Sequence, residues 1–460
     1  MPRRSWRAWA SAGLVLLAAL AATVPTAGDI GLTWDEPAYK FSQVRSADWW
    51  RRLGAAARGR DDLHAVLHPD ALLFYWQYGR YGINFHPPLA GQISVLTRAA
   101  FGGWMKDIPA RRMASIIEFS LAVALLYLFL ARRYGPWVGG IAAGALLVMP
   151  RVYGDGHIAG TDTPGLLLWP LTAFAFWKGL NEPHARRYRV LVGVLLGLAF
   201  VEKMAAVFVL APLLGWMAVS RLPDFLRGRI NRSDWADGIL TLPAMLLPLG
   251  VAFLEILRIS RLYPLPKDTD LFVDRPATAL PGLVLALPLA VWVVRRLLGR
   301  VFSQSRLWGR ERPALETLQA VLAFAPVVGW LGNPAWWLET IPRLAHYYRI
   351  NVDRQGALPD IQILYLGQIY EYSLPWHNGW VLLAVTVPAA TLLAAAFGLV
   401  YALRVLGKDR LPLYFLVQLV TLPVFRMLPT PPTTACGCSS PRSSFSPRSP
   451  AGGPSGRPTA

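Results

Sequence analysis

Charge is scarce in this chain. Of its 460 residues 16% are Asp, Glu, Lys or Arg, while 54% are hydrophobic. That balance excludes an ordinary soluble domain and points to many membrane spans. Cysteine is nearly absent. Cys436 and Cys438 lie in a Ser/Pro-rich tail, where a lone Cys-Gly-Cys makes a poor metal site and implies no redox chemistry. No clear internal repeat is present. Acidic residues number 27 against 46 Lys and Arg, a formal net charge of +19. Such an excess can mark nucleic-acid binding. Here the Arg residues cluster in short loops between apolar runs, as the positive-inside rule requires, and no nucleic-acid partner is expected.

A helix needs ~20 apolar residues to cross a bilayer. About 11 spans are expected, an all-α polytopic membrane fold. They are Ala8–Val24, Met113–Leu130, Trp137–Val152, Leu166–Trp177, Val190–Val201, Met204–Val219, Gly238–Leu257, Pro281–Val294, Glu316–Leu331, Gly379–Leu403 and Leu411–Leu428. Ala8–Val24 is read as an uncleaved first span in preference to a signal peptide. Pro87 to Phe101 carries Gln92, Ser94, Thr97 and Arg98 and is read as an interfacial or re-entrant helix. Val190–Val219 is split at Glu202-Lys203. With that count, the basic loops from Arg3, Arg132, Lys178, Arg221, Arg295 and Arg404 onward fall on one side. The opposite side receives Asp35-Glu36, the Gly154–Thr163 loop, the Lys203 turn and the long Gly332–Asn378 loop.

The candidate residues for chemistry share that second side. Trp34-Asp35-Glu36-Pro37 places two carboxylates at a membrane boundary, which is costly without compensation. One could serve as general base toward an acceptor hydroxyl. The plain alternative is a charge pair stabilising a first helical turn, with Pro37 at its start. His86-Pro87-Pro88-Leu89 would present His86 at the entrance of the interfacial helix. Arg112 opens the second span on a face where the charge rule disfavours it, and bidentate bonding to a lipid phosphate would compensate. Asp162, in Thr161-Asp162-Thr163-Pro164, is either a catalytic carboxylate or a helix cap. Asp155 and His157 stand nearby, without a recognised metal-ligand spacing. Lys203 is either paired with Glu202 or reaches a donor phosphate. The Gly332–Asn378 loop is long and aromatic, and Trp376 near its end suits a substrate cap.

Taken in order over roughly residues 8–380, these motifs resemble the protein O-mannosyltransferase and aminoarabinose transferase families, membrane glycosyltransferases of C-type fold. Asp35-Glu36 resembles their acidic pair after the first span, and His86-Pro87-Pro88-Leu89 the mannosyltransferase motif. Arg112, Asp162, Lys203 and Leu374-Pro375-Trp376 follow at matching places. The resemblance implies a polyprenyl-phosphate-linked sugar donor and a protein, lipid or glycan acceptor. Inverting transfer is implied on the external face of a plasma membrane, the bacterial inner membrane. In that scheme Asp35, Glu36 and Asp162 form the catalytic set; His86, Arg112, Lys203 and Trp376 bind donor phosphate or substrate. Some relatives bind a divalent cation, but no metal ligand is assigned here. A transporter or flippase is the alternative.

Residues 1–428 are read as one multi-spanning domain. It comprises a first span (1–25), an external segment with interfacial helices (26–112), a span bundle (113–331), an external loop (332–378) and last spans (379–428). Residues 429–460 lose apolar periodicity. Their Thr433–Ser446 stretch resembles GC-rich coding sequence read in a shifted frame, so a native C-terminus replaced by this tail is expected.

Overall fold

The computed structural model describes residues 3–33, 35–76, 78–79, 82–83, 88–182, 185–226, 232–262, 278, 280–301, 312–352, 362–371, 374–405 and 408–427. The expected tail, 429–460, lies outside them, as do Trp34 and His86.

Among the described residues the fold is all-α apart from two short antiparallel strand pairs. Helix α1 (Arg3–Thr23) is followed by α2 (Glu36–Ala56), α3 (Leu63–Leu67), α4 (Pro69–Trp76), the strands β1 (Tyr78–Gly79) and β2 (Gly82–Ile83), and α5 (Leu89–Phe101). Next come α6 (Asp107–Tyr134), α7 (Pro136–Leu147), α8 (Pro150–Asp155), α9 (Thr163–Asn181) and α10 (Arg186–Phe200). A 3₁₀ turn, Met204–Val209, leads into α11 (Leu210–Leu226), α12 (Arg232–Leu262), α13 (Leu287–Val301) and α14 (Pro313–Gly332). The chain closes with α15 (Thr340–Val352), β3 (Gln362–Tyr365), β4 (Gln368–Glu371), α16 (Asn378–Thr386), α17 (Ala389–Arg404) and α18 (Leu411–Met427).

Among the described residues, five helices are long and apolar enough to cross a membrane, or six if the bent pair α16–α17 is one span. Of the remaining expected spans, the one over Leu166–Trp177 lies in the 19-residue α9 and the others are shorter or broken helices; prolines account for two of the breaks. The span expected over Trp137–Val152 stops at Leu147 and restarts as α8 at Pro150. That expected over Gly379–Leu403 bends by 117° between α16 and α17, where Pro388 stands before Ala389. Proline lacks the N–H that would continue a helix and disfavours helical geometry in the residue before it.

Helix α6 is the axis of the bundle. Ala12 and Ala19 on α1 are buried against Phe119, Val123 and Tyr127 of α6, small residues that let two apolar helices approach closely. Helices α9, α10, α11 and α18 meet around Phe176, Val192, Leu196, Trp216 and Tyr414. The split at Glu202-Lys203 is a true reversal: α10 reaches Phe200, the chain turns, and α11 returns to place Trp216 5.8 Å from Trp177, ring to ring.

The bundle therefore has two distinct ends. At one, Arg132 lies over Trp9, Arg133 pairs with Asp409, and Arg189 pairs with Glu316. At the other, Arg112 meets Glu36, Lys203 meets Asp162, and Gly332 approaches Val201. A layer made from α2–α5, the Pro334–Trp336 turn and α15 covers this second end. Its core is Trp49, Val66, Leu72, Trp76, Trp336 and Tyr347. The segment after the first helix and the later aromatic loop are thus packed together.

Candidate active site

The site starts from the N-termini of α2 and α9. Asp35 and Asp162 are the N-cap residues of these helices, and neither side chain makes a capping bond. The plain role of a cap is thereby left unused at both positions. Asp35 is exposed. Asp162 instead receives a 2.7 Å hydrogen bond from the Lys203 ammonium.

Glu36 takes a different path from its neighbour. Its side chain is buried and accepts two bonds from Arg112, from Nε at 2.8 Å and from Nη2 at 2.7 Å. The backbone N–H groups of Thr33 and Ala159 also donate to it, at 3.0 and 3.2 Å. Burial alone would raise its pKa, but the bonds from Arg112, Thr33 and Ala159 hold it below the ordinary Glu value. The rest of Arg112 is directed at the loop before α2. Nη1 donates to the carbonyls of Ala27 and Ile30 at 3.2 and 2.6 Å, and Nη2 to that of Gly31 at 2.9 Å. All five guanidinium N–H groups are engaged within the protein. This geometry ties the loop, α2, α6 and the Ala159 turn into one unit and leaves no Arg112 donor directed at a lipid phosphate.

Glu202 and Lys203 separate likewise. The Glu202 carboxylate is buried and accepts from Ala90 N at 2.9 Å, at the N-terminus of α5. Burial, and then the nearby Glu118, push its pKa well above the usual range. Lys203 points the other way, to Asp162. In place of a Glu202–Lys203 pair, one of the two readings of Lys203, the chain makes two outward connections, one to α5 and one to α9.

Tyr39 joins these elements. It is hydrogen-bonded to Thr161. Burial pushes its phenol up to about 12; Asp35 adds to that effect, as do Asp162 and Glu202. Tyr39 thus feels the charge of both N-cap carboxylates. The sequence signal for it was the helical period. Asp35, Tyr39, Ser42, Gln43 and Ser46 recur at i, i+4, i+7, i+8 and i+11, one polar stripe down α2. Sequence reasoning that stopped at the acidic doublet missed that stripe.

Beside Asp162 a cavity of about 430 Å³ opens between α8 and α9. Asp155 and Asp162 stand at its polar part, and Val152, Leu166, Trp169 and Pro170 form its apolar wall. Burial raises the Asp155 carboxyl; Arg151, 3.8 Å away, opposes that and Asp162 reinforces it. His157 is fully buried, bonded to Thr26, Thr23 and Tyr153, and serves the packing of α1 on α8. Among the described residues no three His, Cys, Asp or Glu side chains converge as a metal site. Trp376 is exposed, with its ring 5.4 Å from His377. Its described ring contact is with that neighbour and not with the carboxylates.

Residues 85–242 match the family described as dolichyl-phosphate-mannose-protein mannosyltransferase. The chain resembles this glycosyltransferase family. No curated protein and no solved structure matches it. The mannosyltransferase-like stretch runs from before α5 into α12 and contains His86, Arg112, Asp162 and Lys203. Asp35, Glu36 and Trp376 lie outside it. Contacts carry Glu36 into the matched region, through Arg112 and Ala159.

Proposed function

We propose that this chain transfers a sugar from a polyprenyl-phosphate-linked donor to an acceptor hydroxyl, with inversion, at the end of the bundle that bears Asp35 and Asp162. The observation that carries this reading is the Asp162–Lys203 pair beside a cavity with one acidic side and one apolar wall. An isoprenoid chain suits Leu166, Trp169 and Pro170. A phosphate suits Lys203, which is half-buried and anchored by a single carboxylate.

The roles follow from what each group has left to offer. Asp35 is the base, because its carboxylate is exposed and does not cap its helix. The acceptor oxygen attacks the anomeric carbon as its proton passes to Asp35. The bond from that carbon to the phosphate oxygen breaks, and the lipid phosphate leaves with the electron pair. Lys203 stabilises the charge that develops on the phosphate. Glu36 and Arg112 hold Asp35 in place and do not touch substrate. The positive-inside rule, read from short loops, supports a non-cytoplasmic location for this end, since Arg132, Arg133, Arg189 and Arg404 lie toward the other; the long segment 29–112 at this end is itself rich in Arg, and segments of that length obey the rule weakly.

The test is transfer from a radiolabelled polyprenyl-phosphate mannose in membranes containing the full chain. Asp35→Asn is expected to lower transfer by roughly 10²–10⁴-fold with normal membrane insertion. Lys203→Ala should also fall, and Lys203→Arg should recover part of the loss. Unchanged transfer by Asp35→Asn removes the base from this scheme.

A further inference from the structure

A second, smaller cleft borders the Gly160–Thr161 stretch, next in sequence to the Asp162–Thr163 stretch that lines the first cavity. Four residues of the α2 stripe, Tyr39, Ser42, Gln43 and Ser46, form one wall, and Tyr75 and Trp76 of α4 another. Gly160 and Thr161 close it toward Asp162. Its described lining is hydroxyl, amide, indole and backbone; no Asp, Glu, Lys, Arg or His contributes.

One group in this wall lacks a partner. Trp49, Trp50 and Trp76 pack edge to face, with Trp76 5.1 Å from Trp49 and 5.9 Å from Trp50. Trp49 donates its indole N–H to Val66 O, and Trp50 donates to Gln92 Oε1. Trp76 is buried, and its Nε1 has no hydrogen-bond partner. Buried indole N–H groups are normally satisfied, and the two flanking indoles fix this ring where it stands.

The interior is about 30 Å³, where a water needs roughly 10–15 Å³ in the same measure. That admits one hydroxymethyl-sized group and not a sugar ring. The lack of a cation disfavours phosphate, and the lack of an anion disfavours an amine. The stripe that forms the wall starts at Asp35, two helical turns before Ser42.

We infer that this cleft is the acceptor subsite: it takes the hydroxyl-bearing end of an uncharged acceptor, which accepts a hydrogen bond from Trp76 Nε1 while the reacting oxygen is turned toward Asp35. The inference rests on the transferase reading above and adds to it where the acceptor sits and what charge it carries. Donor and acceptor then occupy separate pockets lined by successive residues of the 160–163 turn.

The experiment measures two products from labelled polyprenyl-phosphate mannose in native membranes: sugar transferred to membrane acceptor, and free sugar released when water takes the acceptor's place. Trp76→Phe removes the N–H, and Ser42→Leu fills the cleft from a different helix. Each is expected to lower the ratio of transferred to released sugar by about tenfold or more. A ratio unchanged in both variants overturns the subsite, even if both products fall together. Glycerol added as a small neutral alcohol should divert label from the membrane acceptor, and glycerol 3-phosphate should not. Glycerol that diverts no more than its phosphate overturns the assignment of an uncharged acceptor. Wild-type membranes that form neither product overturn the transferase reading itself.

Discussion

Adjacent acids with opposite fates define this molecule at the scale of the residue. On a helix, neighbours point about 100° apart. Asp35 consequently faces solvent while Glu36 faces Arg112. A buried, bidentate pair of this kind is strongly destabilised when one partner is removed, by about 3–5 kcal/mol, because the other charge is stranded. Glu36→Gln and Arg112→Leu should each lose stability of that order in thermal melts of the detergent-purified protein. Each should reduce transfer in proportion to the folded fraction recovered. The pair also sets an acid limit. The folded pKa of Glu36 lies below its ordinary value, so its stabilisation is complete above the unfolded pKa and is lost as pH falls through the folded one. Wild-type melting temperature should therefore drop on acidification below about pH 4, and Glu36→Gln should show a smaller drop. Equal drops would mean that other carboxylates set the limit. At this scale the sequence disclosed which residue types were costly. It did not disclose that Arg112 would satisfy a carboxylate and three carbonyls, since those partners come from positions 27 to 36 and meet it only on folding.

The element scale is set by close helix contact. A Cβ added at Gly193 of α10 would lie 2.4 Å from Ala320 O of α14, and one added at Gly197 would lie 2.6 Å from Val328 Cβ. The two glycines are one turn apart and let the helices approach backbone to backbone. The same pair of helices buries the Arg189–Glu316 contact at 2.5 Å. Gly193→Ala should cost about 1–3 kcal/mol as an overpacked site. Gly193→Leu should abolish recovery of monodisperse protein by size exclusion. Normal recovery of the leucine variant would show that α10 and α14 do not pack as described. The Glu202-Lys203 turn belongs to this scale too. Its carboxyl is buried with a raised pKa and accepts a bond from the start of α5, so Glu202→Gln preserves an acceptor whereas Glu202→Ala leaves Ala90 N–H unsatisfied. Transfer should survive the first change and fall in the second, chiefly through weaker donor binding, read as a raised KM for donor. The reversal at 202–203 was legible from two charges interrupting an apolar run. The breaks before α8 and α17 fall at Pro150 and Pro388 inside largely apolar runs, so apolar run length conceals them.

For the whole molecule the decisive property is that candidate residues from four separated segments, around positions 36, 112, 162 and 203, lie at one end of the bundle. Asp35→Cys and Trp376→Cys should react with a membrane-impermeant maleimide on the same side of the membrane. Arg404→Cys should react after permeabilisation alone. Labelling of positions 35 and 404 from one side would refute the sidedness. Composition, apolar run length and the placement of Arg were enough to give an all-α membrane protein with one basic end, because those properties depend on local chain chemistry and on the bilayer as solvent. They also brought Asp35, Asp162 and Lys203 forward as residues that needed a reason. The tertiary structure alone decided which of them remain available for chemistry. Hydrogen-bond donors and acceptors are exhausted by partners distant in sequence, and that assigned Arg112 and Glu36 to the frame. It left Asp35 open, turned Lys203 to Asp162, and placed Tyr39 and the unpartnered Trp76 in one small cleft.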